Sequence, residues 1–206
     1  MLHERDKPQQ MRSKKRVEAT LQAAKKVLAE SGYASMTLQA VCQEADVKPT
    51  SIYRYWPNQA ALLTSLLEVF EEEMAALILG HAENGDSSDW RLSLRQLIGD
   101  ITDYCETNLW VYAGRTALSD NSVFMQMHKQ TFALFAQHIS RLFDAMGMVD
   151  EAKKLHAAQT YTLIMDAYMG AVSRDSGNRE AIRQIQDTFM EVICAFLAPY
   201  FEATSS

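Results

Sequence analysis

The chain has 206 residues, of which 48% are hydrophobic, so it can bury a core as one domain or as two small ones. Its net charge of −6 excludes a uniformly basic nucleic-acid-binding protein. The charge is uneven, however. Residues 1–60 contain ten Lys or Arg against six Asp or Glu, a net charge of +4, whereas the other residues carry a net charge of −10. This asymmetry predicts two functions in one chain, the first of which involves a polyanion.

Several classes of protein are excluded by absent patterns. No run of about 18 apolar residues indicates a membrane span, and the polar N-terminus lacks the apolar segment of a signal peptide. The three cysteines and the histidines show no metal-ligand spacing, and no phosphate-binding or hydrolase motif occurs. We therefore expect a cytoplasmic protein without enzyme activity, metal or cofactor. Its thiols should be reduced and inert, with Cys105 as a redox sensor the alternative.

Helical periodicity runs through nearly the whole chain. It predicts a first helix over Lys14–Ser31, ended by a left-handed residue at Gly32. A second helix is predicted over Thr37–Ala45, with the threonine as N-cap. A third is predicted over Pro49–Tyr55, where proline suits the first turn. The tight corner between the last two needs a positive φ at Asp46, which Asp tolerates better than most non-Gly residues.

The same periodicity predicts six longer helices after the third. We place them at about residues 58–82, 90–107, 109–118, 122–146, 150–173 and 178–201. Asn58, Asp150 and Asn178 are the expected N-caps of three of them. The whole chain is therefore predicted to be an all-α protein, with three short helices followed by six further ones.

The three short helices have the arrangement of a helix-turn-helix. In this motif the second helix fixes the angle of the third, which enters the DNA major groove. We expect Ile52 to face the core and Trp56 to be buried at the junction that precedes the next helix. Tyr53 and Tyr55 cannot both point inward, so at least one should be exposed. Arg54 can bind phosphate or guanine.

The first third of the chain resembles the tetracycline-repressor (TetR) family of bacterial transcriptional regulators. The resemblance spans residues 16–63 and lies in Ala23-Ala24, Leu28, Gly32-Tyr33, Thr37-Leu38, Val41, Ala45-Asp46-Val47, Ile52-Tyr53-Arg54-Tyr55-Trp56, Asn58 and Leu62-Leu63. It implies an N-terminal helix-turn-helix DNA-binding domain over residues 1–57, with residues 1–12 as a flexible leader. A six-helix ligand-binding and dimerisation domain would follow over residues 58–206.

Two positions depart from the family pattern. Asp46 stands where the family has a glycine in the turn. Gln59 stands where the family has a lysine that commonly touches a DNA phosphate, so this site adds no charge and affinity should depend less on salt through it. The basic residues of the leader either compensate by following phosphates or form a solvated tail. The predicted contacts with double-stranded DNA are Lys14, Arg16, Thr37, Gln39, Lys48, Thr50, Ser51, Tyr53, Arg54, Tyr55 and Gln59.

The last two predicted helices have broad apolar faces and small residues that would let a partner helix approach closely. We expect them to form a four-helix homodimer interface, since a palindromic operator needs two recognition helices about one DNA turn apart. Ordinary core packing in a monomer is the alternative. The predicted interface residues are Ala157, Ala167, Gly170, Ala171, Ile185, Phe189, Val192 and Phe196.

Aromatic and methionine side chains on the later helices suit an adaptable apolar cavity for a small molecule, although each could equally be plain core. The predicted ligand-binding residues are Tyr104, Trp110, Arg115, Phe124, Met125, Phe132, Phe135, Tyr161, Met165, Asp166 and Tyr168. Asp166 would bind a polar or cationic group of the ligand, pair with Arg115, or face water. The arginine itself could take an anionic ligand.

These patterns favour a ligand-responsive transcriptional regulator, acting as a repressor. It would bind a palindromic operator as a homodimer and be released by a small, largely apolar effector. The alternative is a helix-turn-helix DNA-binding dimer whose C-terminal domain serves assembly or protein-partner binding without an effector.

Overall fold

The structure, a computed structural model, describes residues 6–84, 89–119, 125–148 and 150–202. Within these ranges all regular secondary structure is α-helical, which confirms the predicted all-α class. The helices are α1 (Asp6–Ser35), α2 (Leu38–Glu44), α3 (Pro49–Ile52), α4 (Gln59–Asn84), α5 (Trp90–Thr107), α6 (Trp110–Ser119), α7 (Met125–Ala145), α8 (Glu151–Arg174) and α9 (Arg179–Glu202). No described helix is long and apolar enough to cross a membrane.

Polar side chains begin these helices where the sequence predicts. The Thr37 hydroxyl accepts from the Ala40 amide at 3.1 Å, and the Asn58 side-chain oxygen accepts from the Ala61 amide at 2.8 Å. Asp150 and Asn178 cap α8 and α9 in the same way. Asp89, predicted only as part of a loop, caps α5 by accepting from the amides of residues 91 and 92. Each cap satisfies an amide that the helix leaves without a partner.

Two helices among the first three differ from the predicted bounds. α1 begins at Asp6, so most of the predicted leader is helical, because Pro8 falls in a first turn that does not need its missing N–H. α1 is broken at Gly32, whose φ of 73° matches the predicted left-handed end. α3 ends at Ile52 rather than at Tyr55. The proline at 57 disfavours helical backbone at the residue before it, and the chain leaves the helix in tight turns.

The turn between α2 and α3 is a Schellman motif. The Val47 amide donates to the Cys42 carbonyl at 3.0 Å, and the Asp46 amide donates to the Gln43 carbonyl at 3.3 Å. Asp46 lies at the left-handed position with φ 51°, the only positive φ of a non-glycine residue in the described part of the chain. The prediction of a positive φ there is confirmed.

The described helices form two compact units. The first contains α1, α2, α3, α4 up to Phe70, and α6. In it α2 packs on α1 and α3, and α6 packs on α1. The core includes Leu28, Met36, Val41, Ile52, Trp56, Leu62, Leu63 and Leu66. At the start of α6, Trp110 lies 4.7 Å from the Lys25 ammonium and meets Phe70 edge-on at 6.4 Å between ring centroids.

The second unit contains the rest of α4 together with α5, α7, α8 and α9. Within it α8 packs on both α7 and α9, and α5 packs on α9. The core includes Leu94, Leu97, Ile98, Leu142, Phe143, Ala158, Tyr161, Ile193 and Leu197. The packing therefore groups α6 and the first half of α4 with the three short helices. The functional boundary after residue 57 stays a prediction.

The left-handed turn at Asp46 predicts how substitutions there affect stability. Asp46→Gly should keep the free energy of unfolding within about 0.5 kcal/mol, whereas Asp46→Val should lower it by about 1–2 kcal/mol, because a β-branched side chain clashes at positive φ. Gln43→Val, at an exposed helical position on α2, is the control and should cost at most about 0.5 kcal/mol. Urea unfolding measures all three. Equal losses for the two valine variants would contradict the assignment.

Candidate functional site

The recognition segment, which we define as Tyr53-Arg54-Tyr55, lies on the surface of the first unit. Tyr53 is 54% exposed and Tyr55 38% exposed, whereas the residues on either side, Ile52 and Trp56, are buried. Exposed aromatic side chains that are grouped in one patch are typical of a surface that contacts another molecule. The sequence predicted one exposed tyrosine at least, and both are exposed.

The two buried neighbours hold the segment in place. The amides of Tyr55 and Trp56 both donate to the Ile52 carbonyl, at 2.8 Å and 3.0 Å. The Trp56 indole N–H donates to the Ser65 hydroxyl of α4 at 2.9 Å, which fixes the ring at the junction. The segment is therefore a short turn fixed at both ends by buried side chains.

Arg54 and Tyr55 contact each other on this surface. The Arg54 guanidinium donates to the Tyr55 hydroxyl at 2.8 Å, and its carbon lies 5.0 Å from the centre of the tyrosine ring. A guanidinium has five N–H donors, so most of them stay available for phosphate oxygens or the acceptors of guanine. The contact orients the arginine before any partner binds.

The other predicted DNA contacts in the first unit are mostly exposed, as a nucleic-acid surface requires. Exposed residues are Lys14, Arg16, Thr37, Gln39, Lys48 and Thr50, and Ser51 is half-buried. The oxygen of the Thr37 hydroxyl is engaged by the N-cap of α2, so the hydroxyl proton is what it can offer to a phosphate.

Gln59 has a structural role that the sequence did not indicate. Its side-chain amide donates to the Tyr33 carbonyl, next to the break in α1 at Gly32, and the side chain is half-buried. The bond attaches the first turn of α4 to the end of α1. A residue predicted to face DNA thus holds two helices of the first unit together, and a sequence pattern has no signal for a carbonyl so distant along the chain.

The predicted ligand-binding residues fall in both units. Trp110 and Arg115 lie on α6 in the first unit, whereas the other described ones lie in the second. Tyr161 and Tyr168 are buried, and Tyr104, Phe132, Phe135, Met165 and Asp166 are half-buried. Phe124 and the side chain of Met125 lie outside the described residues. The structure therefore divides the predicted set between the two units, with most of the described members in the second.

Three tyrosine hydroxyls of the second unit differ in their hydrogen bonding. The Tyr104 hydroxyl donates to the Glu73 carboxylate of α4, and Tyr168 hydrogen-bonds to the Thr102 hydroxyl at 2.6 Å. The Tyr161 hydroxyl is buried and has no hydrogen-bond partner among the described residues. Burial raises the pKa of all three hydroxyls, so each is neutral at physiological pH.

The sequence itself identifies the helix-turn-helix unit. Residues 21–66 match the family model for bacterial regulatory proteins of the tetR family. Residues 21–66 therefore form the helix-turn-helix unit of the tetR family. The family consists of regulatory proteins, so the prediction of a helix-turn-helix transcriptional regulator rather than an enzyme is confirmed.

Known proteins resemble this chain at different levels. An uncharacterized helix-turn-helix transcriptional regulator of Bacillus subtilis, YuxN, is 28% identical over 93 residues, 44% of this chain. The match spans about a third of that relative, 32% of its length. A proposed TetR-family regulator from Mesorhizobium loti has the same fold, with a TM-score of 0.73 and 16% identity over 92% of this chain and 98% of that chain. The structure of SmeT in complex with triclosan has a TM-score of 0.68 and 14% identity, over 87% of this chain and 90% of that chain.

The predicted interface residues divide into two groups. Ala157 and Phe189 are buried within the second unit, where the phenylalanine ring lies 4.5 Å from that of Tyr168, so they belong to its core. The others are exposed or half-buried: Ala167, Gly170, Ala171, Ile185, Val192 and Phe196. Leu163, which we did not predict, is 61% exposed one helical turn before Ala167. The spacing of four was the signal that could have identified it.

The thiol of Cys105 is not suited to redox sensing. Burial, with a smaller effect of the nearby Glu106 carboxylate, raises the pKa of this thiol to about 12, so the reactive thiolate is scarce at neutral pH. The side chain is fully buried on α5. The inert interpretation of the sequence agrees with this environment.

We expect Cys105 to resist alkylation in the folded protein. Iodoacetamide at pH 8 should modify Cys194, which is half-buried, well before Cys105. Because the pKa is raised, the thiolate fraction increases with pH only as pH approaches 12, beyond the usual working range. Peptide mass spectrometry measures both rates, with unfolded protein as the control. Equal native rates would contradict the buried environment.

Proposed function

We propose that the chain is a cytoplasmic homodimeric repressor that binds a palindromic DNA operator through the recognition segment and is released by a small, largely apolar effector. The observation that carries the proposal is the exposed Tyr53-Arg54-Tyr55 turn between two buried side chains in a helix-turn-helix. The later steps rest on the second unit, where an apolar surface and a buried aromatic cluster occur on the same helices.

The side chains of the recognition segment supply hydrogen-bond donors and positive charge that suit binding to DNA. Arg54 supplies charged donors, and the two tyrosine hydroxyls supply further donors to phosphate oxygens. Thr50, exposed in α3, is small enough to let base edges come close. The net charge of +4 in residues 1–60 gives this part of an acidic protein the sign that a phosphate backbone attracts.

The face of α8 and α9 supplies the proposed dimer interface. Leu155 and Leu163 of α8 and Val192 of α9 are between 47% and 61% exposed, which is unusual for aliphatic side chains on packed neighbouring helices. Ala167 and Gly170 continue this face with small side chains that permit close helix approach. Burying it against a second copy would remove the apolar surface from water.

α4 is the proposed carrier of the signal, because its first half belongs to the first unit and its second half to the second. In the first unit, Gln59 and Ser65 of α4 are hydrogen-bonded to Tyr33 and Trp56. In the second, Glu73 accepts from Tyr104 of α5, and Glu71 accepts from Thr131 of α7.

An effector that binds better to one arrangement of the second unit would therefore shift α4 and lower operator affinity by its differential binding energy.

The aromatic cluster around Tyr161 supports the effector component of the proposal. Phe143 and Phe189 meet this tyrosine edge-on at 5.8 Å and 6.2 Å between ring centroids. SmeT, which has a similar fold, is known in complex with triclosan. A dimer without an effector is the competing function, and an operator affinity that no bound small molecule changes would favour it.

Replacing the recognition segment tests operator binding. Arg54→Ala should weaken binding to a selected palindromic operator by about 10- to 100-fold, since charged contacts of this kind are worth about 1–3 kcal/mol. Tyr53→Phe should weaken it less. Arg95→Ala, which removes an exposed arginine of α5, is the matched control and should bind normally. Gel shifts measure affinity, and unchanged binding by both segment variants would refute the assignment.

Enlarging a small residue on α8 tests the dimer. Ala167→Tyr should give a monomer in sedimentation velocity, because the added ring would separate the two copies. Ala133→Tyr places the same ring on an exposed position of α7 and should leave the dimer intact. A dimer that persists in Ala167→Tyr would place the interface elsewhere.

A further inference from the structure

Two buried tyrosines of α8 differ in whether their hydroxyl has a hydrogen-bond partner. Tyr168 is 4% exposed, and its hydroxyl pairs with that of Thr102 at 2.6 Å. Tyr161 is 1% exposed, and its hydroxyl has no partner among the described residues. The two side chains share the neighbour Phe189, so they lie in one aromatic cluster with opposite hydrogen-bonding states.

An unpaired buried hydroxyl is costly. Leaving such a group without a partner forfeits about 1–3 kcal/mol, and phenylalanine would fill nearly the same volume without that cost. Buried polar groups in native proteins nearly always have a partner, either in the protein or in a bound molecule. Since no described residue pairs with the hydroxyl of Tyr161, a bound molecule is the partner that its burial calls for.

The surroundings of this hydroxyl define the partner's chemistry. Phe143 and Phe189 provide apolar ring edges, and the one titratable group that influences Tyr161 among the described residues is the neutral Tyr168. These contacts of Tyr161 provide no counter-ion for a formal charge on the partner, and burying an unpaired charge costs far more than burying a neutral polar group. The neighbouring Tyr168 is influenced by the neutral Cys105 thiol and by the Asp103 carboxylate, which lies at an exposed position of α5.

We propose that Tyr161 is the hydrogen-bonding residue of the effector site, and that its hydroxyl donates to an uncharged acceptor, such as a carbonyl or ether oxygen, on an effector with an apolar body. This rests on the effector component of the proposed function and adds the effector's chemical class. The hydroxyl selects the acceptor, and the aromatic rings contact the apolar body. A trapped water is the competing partner.

Thermal unfolding of the full-length protein, without added ligand, distinguishes an effector from a permanently bound water as the partner of the Tyr161 hydroxyl. Tyr161→Phe should leave the melting temperature unchanged or raise it, because it deletes a hydroxyl that has no partner among the described residues. Tyr168→Phe, the matched control, should lower it by several degrees, because it breaks the bond to Thr102. If Tyr161→Phe lowers the melting temperature as much as the control does, a permanently bound water satisfies the hydroxyl and the proposal fails.

Three probes of similar size test the chemical class. Acetophenone carries an uncharged acceptor, isopropylbenzene replaces it with a methyl group, and benzoate carries a charge. By ligand-observed NMR, Tyr161→Phe should weaken acetophenone about 2- to 10-fold, the worth of one hydrogen bond, and leave isopropylbenzene unchanged. Benzoate should bind more weakly than acetophenone to the unaltered protein. Equal effects on the first two probes, no acetophenone binding at millimolar concentration, or preferred benzoate binding would each overturn the proposal.

These measurements contain no DNA, so they fail independently of the repressor mechanism. If acetophenone binds through Tyr161 but does not change operator affinity, the binding site at Tyr161 is supported and release of the operator by the effector is refuted. If another molecule releases the operator equally well from the unaltered protein and from Tyr161→Phe, the repressor mechanism stands and the site assigned to Tyr161 is overturned.

Discussion

The left-handed turn at Asp46 is the constraint on which the DNA-facing part of the structure depends. It ends α2 with two backbone hydrogen bonds and sends the chain directly into α3, whose one buried side chain, Ile52, lies at its last position. Ile52 and Trp56 both lie in the core of the first unit, so the side chains of the three residues between them are directed to the surface. Their exposure follows from the positions of two buried neighbours. A tyrosine-rich segment that looks like core material is thereby placed on the surface.

In the second unit the relevant constraint is hydrogen bonding. Some polar side chains of α4 and α8 have hydrogen-bond partners, and one buried hydroxyl has none among the described residues. Glutamates of α4 accept from hydroxyls on α5 and α7, and Tyr168 pairs with Thr102. Tyr161 alone of these has a buried hydroxyl without a partner in the described chain. Stability would favour phenylalanine there, so the tyrosine is best explained by a function that offsets its cost. Operator release and effector choice would then depend on a single hydroxyl and on the helix that the two units share.

The sequence predicted much of this because its signals are local. Caps such as Asn58 act within one turn, and Asp46 indicates a positive φ. Helical periodicity locates α4 to α9 to within a few residues, whereas α1 begins well before its predicted start. The sequence carries no signal for contacts between residues that are distant along the chain, so the site roles assigned to such residues stay predictions. Gln59 was assigned to DNA, yet its amide binds the Tyr33 carbonyl across 26 positions of sequence. Trp110 and Arg115 were assigned to the effector domain, yet α6 packs with the first unit. Phe189 was assigned to the dimer interface, since periodicity identifies an apolar face without saying which neighbour covers it.

The most direct test of the central claim is a crystal structure of the full-length protein bound to a selected palindromic operator. The account predicts that the two copies of the recognition segment enter successive major grooves about 34–36 Å apart. Arg54 should contact phosphate or guanine, while Ile52 and Trp56 remain buried. A complex in which Tyr53, Arg54 and Tyr55 face solvent and another surface binds the DNA would contradict it.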